Sequence, residues 1–128
     1  MAGRLLDSGL VIRHLRGDLE AVQLLRELGR RVRLGVSVVT HLEVYAGMRP
    51  HEEYRTRKLL SRFVAYEVDR EIAARAGEFL RRYHERGASI PDAIIAATAV
   101  RHGLTLVTLN AKHFPMSEVS LYVPSADK

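Results

Sequence analysis

Residues 92–109, DAIIAATAVRHGLTLVTL, leave this chain few folds to choose from. Asp92–His102 is a helical stretch that is apolar almost all round, so it needs cover on every side. Gly103 ends it, and Leu104–Leu109 follows as an apolar run of strand length. A helix and a strand that both need burying, joined by one glycine, belong in the middle of a layered α/β domain. The same alternation fills the rest of the chain. Arg4–Asp7 reads as a first strand, and Leu10–Leu15 as a helical turn that breaks at Gly17. Asp18 caps a helix to Leu28, with Ala21, Leu24, Leu25 and Leu28 on one face, and Gly29 ends it. Arg33–Val39 is a second strand. Thr40 opens a helix to Ala46, Gly47 closes it, and Pro50 restarts a basic helix through Phe63. Val64–Val68 is a third strand, and Asp69 caps an amphipathic helix to Arg86 that Gly87 terminates. Leu121–Val123 is a last edge strand. Strands alternating with helices predict an α/β domain with a mostly parallel sheet.

Length and composition narrow the function. One domain spanning residues 1–128 fits the length, and no repeat, low-complexity stretch or long linker divides it. No run of about 18 uninterrupted apolar residues exists, so no membrane span is expected. The first fifteen residues hold Arg4, Asp7, Arg13 and His14 and lack an apolar signal core, so the expected location is the cytoplasm. The absence of cysteine excludes disulfides, thiolate zinc sites and thiol catalysis. The net charge is +5, and 17 of the 20 cationic residues are Arg. Arg presents a planar fork of donors that matches phosphate. The charge makes nucleic acid plausible as a partner, and a composition bias explains it equally well.

In open α/β sheets ligands sit beyond the carboxyl ends of the strands. Four polar residues stand at such places. Asp7 ends an apolar run before Ser8-Gly9, as a metal ligand or as a helix N-cap. Glu43 closes a T-x-x-E capping box with Thr40, or points to the same sheet edge as a metal-site acid. Asp92 follows Pro91 at the mouth of the apolar helix, where a carboxylate has reason to be paired, metal-bound or capping. Asn110 ends LVTLN as a turn residue or an oxygen donor, with Thr108 on the same side of the strand. The six histidines show no metal-ligand spacing, and surface positions or local capping explain most of them. There is no P-loop, GxGxxG or GxSxG. The basic helix 52–62 reads as a solvated surface with Leu59, Leu60 and Phe63 inward, or as a nucleic-acid face. Arg13 and Arg16, near Asp7 in sequence, are better placed to grip a phosphate.

Each signal is weak alone, and their order and spacing together are not. LLDSGLVIRHLRGD (5–18), SVVTHLEVYAGM (37–48) and IPDAIIAATAVRHGLTLVTLNAKHF (90–114) together resemble the PIN-domain ribonucleases, in particular the toxin half of VapBC toxin–antitoxin pairs. The resemblance covers nearly the whole chain. It implies a PIN-like three-layer α/β/α domain and a metal-dependent endoribonuclease using Mg²⁺ or Mn²⁺. Asp7 and Asp92 correspond to direct metal ligands. Glu43 would bind metal through water or orient the attacking hydroxide. Asn110 matches a position that the family fills with Asp or Asn, and Ser8 and Thr108 match hydroxyl positions beside the acids. Gly9 and Leu10 depart from the Ser/Asn and Val usual after the first acid, without removing a ligand. In the family's mechanism the acids repel one another without metal, so at least one carboxyl should titrate high. The resemblance further implies an RNA substrate gripped by Arg13 and Arg16, a small antitoxin protein as partner, and a homodimer. The alternative is a non-catalytic PIN-like module that binds RNA or protein, and the filled acid positions argue against it.

Overall fold

A computed structural model describes residues 3–124. Five short strands form one sheet: β1 (Arg4–Leu6), β2 (Leu34–Ser37), β3 (Val64–Tyr66), β4 (Thr105–Val107) and β5 (Leu121–Tyr122). Every pairing is parallel, and the order across the sheet is β3-β2-β1-β4-β5. The connections are helical, as parallel strands require. They are α1 (Ser8–Leu15), α2 (Leu19–Arg31), α3 (Val38–Ala46), α4 (Glu53–Leu60), α5 (Arg70–Tyr83) and α6 (Ile90–His102). Short 3-10 turns at Pro50–Glu52, His84–Arg86 and Ala111–His113 complete the path.

Successive strand residues face opposite sides of the sheet, which builds two cores. Leu5 and Leu106 point to one, with Ile72 and Phe79 of α5 and Ile95 of α6. Leu6, Val36 and Val107 point to the other, with Leu10 of α1, Leu25 of α2 and Leu59 of α4. The result is the three-layer α/β/α arrangement that the sequence predicts. Each large side chain fully buried here contributes about 1.5–3 kcal/mol relative to its exposed state.

Four local expectations are corrected. The second strand stops at Ser37, and the helix starts at Val38 rather than at Thr40. Ser37 caps α3 by accepting the Val39 N–H at 3.1 Å, while Thr40 is the third residue of the helix and fully buried. The capping box between Thr40 and Glu43 therefore does not form. Asp92 is likewise the third residue of its helix, not the cap. Ser89 caps α6 by accepting the Asp92 N–H at 3.2 Å, with Pro91 in the first turn, where its missing N–H costs no hydrogen bond. Helix α2 runs through Gly29 to Arg31, and the Val32 N–H still reaches the Leu28 carbonyl at 3.0 Å. A glycine inside a helix costs only about 1 kcal/mol, so the helix can continue past it. The helix after Asp69 ends at Tyr83, and a 3-10 turn carries the chain on to Gly87.

Candidate active site

The topology creates a crevice at a definite place. From central β1 the chain builds outward through β2 and β3, then crosses back to add β4 and β5 on the other side. The winding reverses between β1 and β4, and the crevice opens beyond their carboxyl ends. Asp7 is the first residue past β1, and its N–H donates to the Val107 carbonyl at 3.0 Å. Thr108 is the first residue past β4.

The Asp7 side chain serves as a helix cap and is not used up by it. Oδ1 accepts the Gly9 N–H of α1 at a long 3.4 Å, and Oδ2 accepts the Thr108 hydroxyl at 2.8 Å. An ionised carboxylate has about four acceptor positions, so capacity remains for a ligand in the cleft. Asp7 is only 7% exposed. Burial pushes its pKa above the usual carboxylate range, while the Thr108 and Gly9 hydrogen bonds pull it back, and the charge of Asp92 adds to the rise. One carboxyl does titrate high, as the sequence reading expects, but desolvation rather than repulsion leads.

A band of polar contacts joins the two aspartates. The Thr108 hydroxyl oxygen accepts the Asn110 N–H at 2.9 Å. Asn110 Nδ2 lies 3.0 Å from His113 Nε2, and His113 Nδ1 lies 3.8 Å from Asp92 Oδ2. An amide nitrogen only donates, so Nε2 accepts and the ring proton sits on Nδ1, facing Asp92. Asp92 Oδ2 also receives the Ser89 N–H at 3.4 Å. On the other flank, Ser8 and Thr40 share a buried hydroxyl hydrogen bond of 2.7 Å that ties the start of α1 to α3. That bond gives Thr40 its partner. Glu43, one turn further on, makes no side-chain hydrogen bond or ion pair among the described residues.

Asp7, Ser8, Glu43, Asp92 and Asn110 thus line one cleft of about 530 Å³. Its donor set consists of carboxylate, amide and hydroxyl oxygens, the chemistry that Mg²⁺ and Mn²⁺ prefer. Among the described residues no three acids or histidines converge into a ready-made cation cage. The fit lies in the donors and in a buried carboxylate whose ionised form is short of positive charge. Arg13 also lines the cleft, but its guanidinium is held by Asp18 at 2.7 Å and Glu20 at 3.1 Å. Arg16 lines a separate groove next to it. His113 is a site residue that the sequence alone does not single out. Its signal was the three-residue spacing from Asn110, which spans one 3-10 turn.

Comparison with known proteins agrees with this geometry. Residues 4–118 match the PIN domain family. Ribonuclease VapC10 of Mycobacterium tuberculosis is 41% identical over 117 residues, which is 89% of this chain and 87% of that protein. Ribonuclease VapC19 of the same organism is 35% identical over 116 residues, 88% of this chain and 93% of that one. Among solved structures, a chain of a toxin–antitoxin complex from Klebsiella pneumoniae is 33% identical. It superposes with a TM-score of 0.81 over 95% of this chain and 98% of its own.

Proposed function

The chain belongs to the PIN-domain family, and from that premise we propose that it is a metal-dependent endoribonuclease, the toxin half of a toxin–antitoxin pair. The observation that carries the metal-dependent part is Asp7: a carboxylate buried at the topological switch point, hydrogen-bonded on both oxygens and still facing a cleft with two further acids. Asp7 and Asp92 would hold Mg²⁺ or Mn²⁺, with Glu43 binding it through water. Once bound, the cation would lower the pKa of its water and stabilise charge on the phosphoryl oxygens. Thr108 fixes the rotamer of Asp7 through its hydroxyl, and His113 holds the Asn110 amide and faces Asp92. Glu43, with no side-chain partner among the described residues, is available to orient the attacking water and accept its proton. RNA as substrate, a small antitoxin as inhibitor, a homodimer and a cytoplasmic place of action belong to the same proposal. No described helix is long and apolar enough to cross a membrane.

The test is cleavage of labelled structured RNA and of the matching DNA by the purified chain in Mg²⁺, Mn²⁺ or EDTA. RNA cut only with cation supports the reading. RNA bound but never cut turns it into a binding module, and DNA cut equally well corrects the substrate.

A further inference from the structure

Next to the acid cleft lies a second groove of opposite charge. It runs between the end of α1, the end of α3 and α4, with a volume of about 690 Å³. Arg16, Arg49, Arg55, Lys58 and Arg62 line it, against one acid, Glu52. That acid is already engaged, by the Arg49 backbone N–H at 2.8 Å and by Arg55 at 3.5 Å. Arg13, Arg57, Arg82 and Arg101, by contrast, each meet a carboxylate at 2.7–2.8 Å. The guanidinium groups of Arg16, Arg49 and Arg62 meet none among the described residues. Cations gathered without counterions repel one another and raise the local concentration of anions. His14, on the wall of the same groove, has a buried Nδ1 with no partner. Burial holds its pKa down, and the charges of Arg62 and Arg26 add to the effect.

A small recess shares its walls with both clefts. Ile12 and Glu43 line the acid cleft, Arg16 and Gly47 line the basic groove, and all four line the recess between them. We propose that the basic groove holds the phosphodiester backbone of the RNA on one side of the bond to be cut, the strand passing over Glu43 into the acid cleft. This rests on the endoribonuclease reading above. Guanidinium forks match phosphate oxygens two at a time. Tyr54 does not line the groove but stands beside it on α4, 77% exposed and one turn before Lys58 of the groove wall, whose Nζ lies 5.9 Å from its ring centre, and offers a flat face on which a base stacks. Stacking on that face favours RNA over an acidic polypeptide as the occupant.

The experiment measures binding of a short fluorescent RNA in EDTA, which withholds the cation that the proposed hydrolysis needs, between about 50 and 200 mM salt. The double variant Arg49→Gln/Arg62→Gln is compared with Arg30→Gln/Arg81→Gln, which removes the same charge from exposed sites elsewhere. Both pairs are exposed, and urea midpoints verify that both remain folded. The groove pair should bind about tenfold more weakly, and its log–log salt slope should fall by about 1.4, or about 0.7 for each lost phosphate contact. The control pair should leave the slope unchanged. Equal shifts in the two pairs overturn the proposal. So does a groove pair that keeps its RNA affinity and loses only its affinity for polyglutamate, which gives the groove to an acidic protein segment. Groove-dependent binding without cleavage in Mg²⁺ or Mn²⁺ leaves the groove standing and removes the nuclease reading. Cation-dependent cleavage with groove-independent binding does the reverse.

Discussion

At the scale of single residues the site turns on Asp7 and the hydroxyl that holds it. Asp7 titrates above the 3.8 of an unperturbed aspartate. For an acid raised in the folded state, the associated stability is complete below about pH 3.8 and is lost as the pH climbs through the folded value. Ionising the buried Asp7 therefore costs stability in cation-free protein. Asp7→Asn without cation should melt higher than wild type at pH 7, and the gap should close towards pH 3.8. A lower melting point at neutral pH would contradict this. Thr108→Val keeps the shape and removes the donor, at a cost of about 1–3 kcal/mol for the buried carboxylate left short of a partner. It should also move the acid limb of the cleavage pH profile to higher pH, since the Thr108 hydrogen bond is the largest influence lowering Asp7. His113→Phe should reduce cleavage by about 10–100-fold with little change in melting, as loss of an orienting partner does. The sequence made Asp7 and Asp92 legible because acids at the ends of apolar runs are conspicuous. It also placed Thr108 beside Asn110, but not His113, which closes the band through a 3-10 turn that no hydrophobic period announces.

Among the elements, strands and helices were legible in type and order, and their boundaries were not. Apart from Gly35 and Ser37 the run LGVSVVT is apolar or β-branched, so its hydrophobic period does not mark where β2 ends and α3 begins. Tertiary structure decides it: Ser37 ends the buried strand and caps the helix, while Thr40 is drawn inward to Ser8. That shift of three residues is what frees Glu43 from a capping role. Gly35 in β2 has a similar hidden reason. A Cβ there would lie 2.5 Å from the Tyr66 ring and 3.1 Å from the Val64 carbonyl oxygen. Tyr66 in turn packs on His102 of α6 with ring centres 4.7 Å apart, so it has little room to move. Gly35→Ala should cost about 1–3 kcal/mol in a urea titration. A neutral result would mean that β3 shifts freely.

The whole molecule joins one fold-level fact to one electrostatic one. A sheet that winds outward from β1 in both directions must leave a crevice at the carboxyl ends of β1 and β4, and this sequence puts acids there. Part of its excess positive charge gathers in the groove alongside. The net +5 revealed the excess, and only the folded chain reveals which arginines are left bare. The balance predicts that Mg²⁺ or Mn²⁺ raises the melting point of the wild type and leaves Asp7→Asn/Asp92→Asn unmoved. The most direct test of the central claim is RNA cleavage in Mn²⁺ by wild type, Asp7→Asn, Asp92→Asn and Glu43→Gln side by side, with EDTA as the blank. The carboxylate-held metal site predicts cutting by wild type alone, abolished by EDTA. Cutting that survives EDTA, or that persists in the aspartate variants, would contradict it.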